Sequence, residues 1–297
     1  MTAGRDAGRA GPGTALDLSA VEGMNRHETQ ALYEDIVTHR SYLPDDVTLP
    51  RGATVLDIGA NIGVFALFVQ ALCPTAHVYA CEPLPPVFDR LVRNLHTHRV
   101  PGRALPYALS DRDGEAEFVF YPGYTVMSGE RRHAAVELDK AFVRSLVHRE
   151  QADELGDGLD FLDEMLDHRF REVTYHRPVR RLSTLIEEVG LDRVDLLKID
   201  VQRAEIDVLN GIDDRHWPLV HRVTVEVHDE PGTPTEGRLS AVLTLLEERG
   251  YRARILPPPG VDPVSVSGSG SGSGSVSGPV VSSRCTVFAA ADGRHYR

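Results

Sequence analysis

Cysteine is scarce in this chain: three among 297 residues, at Cys73, Cys81 and Cys285. An odd, sparse set without CxxC spacing excludes a disulfide framework and a thiolate zinc site, and it fits a reducing compartment. Cys73 and Cys81 border apolar segments and read as small core residues. Positive charge is also in deficit. Lys and Arg number 32 against 44 Asp and Glu, a net charge of −12, so phosphate backbones are repelled and no nucleic-acid partner is expected. The first residues, Met1 to Thr14, are rich in Gly, Ala and Arg and hold no apolar stretch. That composition excludes a signal peptide or a membrane span there. The expectation is a disordered N-terminus over residues 1–24, a cytoplasmic protein and no membrane partner.

What is present is a hydrophobic share of 41%, enough to bury the core of one large domain, expected over residues 25–297. Apolar, β-rich runs occur at Thr54–Ile58, His77–Cys81, Leu105–Leu109, Val194–Ile199, Val223–His228, Tyr251–Leu256 and Cys285–Ala289. Helical patterns separate most of them, at Gly63–Leu72, Pro86–Leu95, Leu182–Val189, Ala204–Leu209 and Arg238–Arg249. Strands alternating with helices predict an α/β fold of Rossmann-like type: a mostly parallel seven-stranded sheet covered on both faces. Only the Gly/Ser tract Ser265–Gly278, within a flexible loop over 258–282, separates the last two strands, so the last strand is expected to pair antiparallel at the sheet edge. An N-terminal helix is expected over Asn25–Tyr42. An insertion over 121–177, with helices at Glu137–Arg149 and Leu159–Phe170, is expected to form a lid over the ligand crevice.

The strongest local signal is Val55-Leu56-Asp57-Ile58-Gly59-Ala60-Asn61-Ile62-Gly63. A buried strand ends in a carboxylate and a glycine-punctuated turn before a helix, and glycine lets backbone approach a ligand closely. The GxGxxG fingerprint of dinucleotide sites is not matched, because Asn61 stands between Gly59 and Gly63. An adenosyl sulfonium has no phosphates and carries an amino-acid end, whose ammonium suits Asp57. Glu82 lies 25 positions after Asp57, at the tip of the next strand, where a carboxylate can accept two ribose hydroxyls. The third strand ends beside the adenine, with Leu109 against the base and Ser110 or Asp111 at its amino group. Ser-Asp before a turn is also ordinary turn chemistry.

Polar residues gather at the ends of the fourth and fifth strands, Asp195–Asp200 and Val223–Asp229. Asp200 is expected to face the crevice mouth, and Lys198, on the same face, to pair with a carboxylate. Alternation puts Thr224, Glu226 and His228 together. The reading is that Glu226 orients His228, which takes the proton from an attacking hydroxyl. A divalent metal held by Asp200, Glu226, His228 and Asp229 is the weaker alternative, and no metal is assigned.

At these residues the sequence resembles the FkbM family of methyltransferases. The likeness is carried by Val55–Gly63, Ala80-Cys81-Glu82-Pro83, Ala108–Gly114, Asp195–Asp200 and Val225–Asp229, and it spans roughly Asn25 to Leu256. It implies a class I fold, S-adenosylmethionine as cofactor held by Asp57, Gly59, Asn61, Gly63, Glu82, Pro83, Leu109, Ser110 and Asp111, and methyl transfer to a hydroxyl with Asp200, Glu226 and His228 at the acceptor. Tyr121–Gly129 and Val225–Asp229 look most like the O-methyltransferases of polyketide and nonribosomal peptide assembly lines. That implies a small-molecule acceptor, free or bound to an acyl carrier protein. The basic run His168–Arg181 would suit an acidic carrier. Relatives often carry Glu-Gly where this chain has Gln202-Arg203, which weakens a metal site; Arg203 reads as a solvated residue at a helix start. The rival readings are C- or N-methylation of a small metabolite, and a nicotinamide-dependent oxidoreductase.

Overall fold

Runs such as Thr54–Ile58 and Leu196–Ile199 carry apolar side chains on both faces, and such strands fold only where helices cover the sheet on both sides. A computed structural model of the chain, describing residues 16–151, 159–256 and 284–291, shows that arrangement. The main sheet has seven strands: β1 (Thr54–Ile58), β2 (His77–Cys81), β3 (Gly102–Leu105), β8 (Leu196–Ile199), β9 (Arg222–His228), β10 (Tyr251–Ile255) and β11 (Arg284–Ala291). Their order is β10-β11-β9-β8-β1-β2-β3, with β1, β2, β3, β8 and β9 parallel. On one face Val55, Val78 and Leu196 pack with α2 (Val64–Leu72) and α3 (Pro85–Thr97). On the other Leu56, Ile58, Leu197 and Ile199 pack with α6 (Leu182–Val189), α7 (Glu205–Asn210) and α8 (Arg238–Glu248). β11 is antiparallel, as expected of the last strand, but it lies between β9 and β10, so β10 is the edge. The tract Ser265–Gly278 lies outside the described residues, as do residues 1–15.

The third strand differs from its expected extent. Leu105–Leu109 is not one strand: β3 ends at Leu105, and β4 (Ala108–Ser110) belongs to a second sheet. Pro106 stands between them, and without an N–H it cannot continue the ladder. The second sheet has the order β4-β7-β5-β6, built with β5 (Gly114–Phe120), β6 (Gly129–Glu130) and β7 (Val173–Arg181). Inserted in it are α4 (Val136–Gln151) and α5 (Leu159–Arg169), the expected lid helices. They hold a small core of their own, in which Tyr121, Val143, Leu162, Leu166 and Phe170 pack together.

The N-terminal helix is shorter than expected. Asn25 Oδ1 accepts from the backbone N–H of Glu28 at 2.9 Å and starts α1 (Arg26–Tyr33), which runs into a π-helical turn over Glu34–Thr38. Ahead of it, Leu18–Ala20 forms a single 3-10 turn within the stretch expected to be disordered. The Asn94 side chain of α3 accepts from the N–H of Glu22 at 2.8 Å and donates to its carbonyl at 3.0 Å.

One glycine sets how closely β1 and β8 meet at the crevice. Gly59 has φ +75°, and a Cβ there would stand 1.7 Å from the carbonyl oxygen of Asp200. Gly52, at φ +73°, faces open space. Gly59→Ala should therefore cost more than about 4 kcal/mol and Gly52→Ala only about 1–2 kcal/mol, measured by urea unfolding. Equal costs would show that the backbone contact at Asp200 is not tight.

Candidate active site

All the parallel strands end at one side of the sheet, and there a cavity of about 820 Å³ lies beneath α1 and the lid. The strand order arranges its lining laterally. Glu82 and Pro83 follow β2, Gly59 and Asn61 follow β1, Asp200 follows β8, and Glu226 lies near the end of β9. Leu109 comes in from β4.

The turn after β1 is held by carboxylate and carbonyl acceptors. The N–H groups of Gly59 and Ala60 donate to the Cys81 carbonyl at 3.1 and 2.9 Å. Glu82 accepts from the N–H of Asn61 at 3.1 Å and of Leu84 at 2.9 Å. Burial outweighs these bonds and raises the Glu82 carboxyl to about 7. Asn61 has φ +49°, a conformation asparagine tolerates better than most residues. From the second sheet, Arg177 donates to the Pro83 carbonyl at 2.6 Å and braces this loop.

Asp57 is placed differently from the sequence reading. It is fully buried and does not line the cavity. Lys198, also buried, stands 3.1 Å from its Oδ1 and donates to the Gly59 carbonyl at 2.8 Å. It lies 3.6 Å from Asp200 Oδ2, with the rings of Tyr42 and Phe65 at 5.2 and 5.9 Å. Burial would strip the Lys198 proton, but the Asp57 and Asp200 charges outweigh it and hold the ammonium.

Asp200 and Glu226 meet one step beyond the Ile199–Val225 pair of β8 and β9. Their carboxyl groups adjoin closely enough for each to act on the other's charge, and Tyr42 donates to Asp200 at 3.1 Å. Burial and the adjacent Asp200 charge push the Glu226 carboxyl well above the usual range. Burial also works against the Asp200 charge, but Lys198 and His228 outweigh it and keep Asp200 low. The two shifts run in opposite directions, so the pair favours holding one proton, on the Glu226 side.

His228 shares the Glu226 face, as alternation implied, but its ring is fully buried and does not line the cavity. Nδ1 lies 2.5 Å from Oε1 of Glu205, which also accepts from Arg238 at 2.9 Å through its Oε2. Nε2 lies 3.8 Å from Glu226 and has no hydrogen-bond partner. Of the two, only Glu226 lines the cavity. Asp229 does not converge on this group: it accepts from the N–H groups of Gly237 and Leu239 at the start of α8. The four residues weighed for a metal therefore do not form one ligand set.

Ser110 and Asp111 are not among the cavity's lining residues either. They join an ion-pair cluster with Arg112 and Arg132, which also holds Glu130. Gly63 likewise sits outside, capping α2. Arg203 is buried rather than solvated. It lies 2.7 Å from Asp139 of the lid and 3.0 Å from Glu230, in a turn where Gln202 and Arg203 have φ of +48° and +72°. Residues missed from sequence include Asp35 on the π-helical turn and Phe118 on β5, both lining the cavity. The alternation in Gly114–Phe120 was the available signal for Phe118.

The sheet order, the glycine turn and the strand-end carboxylates define a class I, S-adenosylmethionine-dependent methyltransferase. Residues 57–253 match the family described as the methyltransferase FkbM domain. The chain belongs to the FkbM methyltransferase family. It is 38% identical over 233 residues to the 31-O-demethyl-FK506 methyltransferase FkbM of Streptomyces tacrolimicus, covering 78% of this chain and 85% of that protein. It is 40% identical over 237 residues to the AMB antimetabolite synthetase AmbE of Pseudomonas aeruginosa, covering 79% of this chain. It spans only 11% of AmbE's length. The methyltransferase sdnD of Sordaria araneosa is 32% identical over 247 residues, covering 79% of this chain and 86% of that protein. Among the described residues no helix is long and apolar enough to cross a membrane.

Lys198→Met should leave the Asp57 charge buried and uncompensated, at a cost of about 3–5 kcal/mol. Adding Asp57→Asn should return part of that loss. Urea unfolding of the two variants checks both, and a single variant as stable as the parent would show the pair to be dispensable.

Proposed function

We propose that this protein methylates a hydroxyl of a natural-product intermediate, with the Asp200–Glu226 pair receiving the hydroxyl proton. The observation that carries this reading is a pair of adjoining carboxyl groups at neighbouring strand ends, lining the same cavity as Glu82 and Leu109. S-adenosylmethionine, when bound, supplies a methyl already activated on a sulfonium. Glu82 would hold the ribose hydroxyls, Leu109 would pack on the base, and Gly59 and Asn61 would present backbone to the amino-acid end. Asp57 would act at one remove, through Lys198. What remains for the protein is alignment and removal of one proton. Glu226 touches the acceptor space, Asp200 sets its protonation, and His228 on Glu205 backs it with a further acceptor nitrogen.

Oxygen as the acceptor atom is supported by the Streptomyces tacrolimicus relative, whose name specifies an O-methyl site. Presentation on an acyl carrier protein gains no support from the basic run. Arg177, Arg180 and Arg181 of that run are engaged with the Pro83 carbonyl, the Tyr107 ring and Asp213.

Glu226→Gln should lower the transfer rate by roughly 10²–10⁴-fold while changing cofactor affinity only a few-fold. The parent's kcat/KM should fall in acid as Asp200, whose carboxyl is held low, takes up a proton and the pair can no longer receive one. Parent-like turnover in the variant would remove the pair from the mechanism. Glu82 gives a separate test of the cofactor assignment. Its carboxyl titrates at about 7, and hydroxyl donors favour the charged form, so binding should release protons near neutrality. Affinity for S-adenosylhomocysteine should fall about tenfold from pH 8 to pH 6. Calorimetry in buffers of different ionisation enthalpy reads the release, which should vanish in Glu82→Gln.

A further inference from the structure

The cavity changes character along its length. Over β1 and β2 it is lined by Gly59, Asn61, Glu82 and Pro83, with Ile58, Cys81, Leu84 and Val87 around them. Beyond Asp200 and Glu226 its walls come from α1, the 124–129 loop and the lid helices. There Leu32, Val126, Met127, Phe142, Val147 and Met165 line it, all apolar. The 124–129 loop is tied to α1 by Glu28, which accepts from the N–H and Oγ1 of Thr125 at 2.7 Å each, so this apolar wall is fixed in place. Side chains of this kind, around a few convergent polar groups, are what a pocket for a largely hydrocarbon molecule requires.

Three carboxyl groups gather in this cavity, where Tyr42, Gln202 and Arg284 line it beside them. Asp35, on the π-helical turn, joins Asp200 and Glu226, and its carboxyl is raised by burial and by the Asp200 charge. The cations nearby are engaged. Arg284 stands 3.7 Å from Asp139 and 4.4 Å over the Phe142 ring, and Arg169 lies 5.4 Å over the Tyr124 ring. Lys198 is sealed behind Asp200 and does not line the cavity. An anion carried beside the reacting hydroxyl would meet the Asp200 charge in a space poor in water, where like charges repel strongly, and would disfavour ionisation of Glu226 and Asp35 still further. A neutral hydroxyl instead finds carboxyl oxygens to donate to, and its hydrocarbon body finds the lid.

We propose that the acceptor is an uncharged, largely hydrocarbon alcohol held beneath the lid helices, and that the carboxyl-lined inner end rejects molecules bearing an anion near the hydroxyl. This rests on the reading of Asp200 and Glu226 as the acceptor end, and it narrows that reading to a substrate class.

The test uses matched pairs: a hydroxy acid and its methyl ester, on a cyclohexane ring and on a long linear alkyl chain. Each is titrated by calorimetry at pH 7.5 into the full chain saturated with S-adenosylhomocysteine. At least one ester should bind ten or more times tighter than its acid. Met165→Asp and Val147→Asp should each weaken ester binding at least tenfold while leaving affinity for S-adenosylhomocysteine within twofold. Acids binding as tightly as esters, or no ester binding, or ester binding indifferent to both lid substitutions, would overturn the proposal. Failure of S-adenosylhomocysteine to bind the parent would instead overturn the cofactor assignment, which keeps the two failures distinct.

Discussion

The crevice depends on one buried ammonium. Lys198 sits where β1 and β8 lie side by side, in register with Asp57, and it reaches the Gly59 carbonyl, Asp57 and Asp200 from a single atom. It is one of only two lysines in a chain otherwise supplied with arginine. A compact point charge can sit among three acceptors of different direction, whereas a planar guanidinium asks for a wider, forked arrangement. The two strands could not close as they do with Asp57 and Asp200 both charged and unpaired. Nor could they close with a side chain at position 59, where the Asp200 backbone already occupies the space. Charge and sterics therefore specify the same junction, and it fixes where Asp200 stands.

A second junction ties the lid to that frame. Arg203 is held in a left-handed turn directly after β8 and joins Asp139 of α4 to Glu230 beyond β9. Residues other than glycine occupy that conformation at a cost, and here buried ion pairs from two other segments over-determine it. The same turn donates the Arg203 N–H to Glu205, the residue that holds His228. The lid, the acceptor end and the histidine behind it thus share one short stretch, Asp200–Glu205. A change in lid position would be felt at the carboxyl pair through covalent neighbours rather than through a long chain of contacts.

Much of this frame was legible in the residues. β1 and β2 have the expected bounds, because a buried strand before a glycine turn is a strong local pattern. Glu82, Asp200 and Glu226 line the cavity as expected, since strand order alone puts strand ends at one side of the sheet. Periodicity gives the face of a strand, but not which residue stands in front. That is why Asp57 lies behind Lys198, and His228 behind Glu226. Ser110 and Asp111 were read as adenine ligands on strand position alone, but the arginines that engage them include Arg132, 22 residues away in sequence from Ser110. The second sheet was hidden for a related reason: β7 reads Val-Thr-Tyr-His-Arg-Pro-Val-Arg-Arg, and its arginines serve partners in other segments instead of marking a solvent face.

The charges at the crevice floor also account for one another. Asp57 and Lys198 oppose each other, the Glu226 carboxyl is raised and favours its protonated form, and Asp200 is held low with Tyr42 donating to it on one side. A sulfonium carries one positive charge, which is lost when its methyl leaves. A floor with one negative charge therefore favours the charged cofactor over its neutral thioether product. A floor with two would hold any cation so firmly that the acceptor's proton would have little reason to leave the pair. A neutral acceptor preserves this balance throughout, because its hydroxyl brings no charge in and leaves one proton behind.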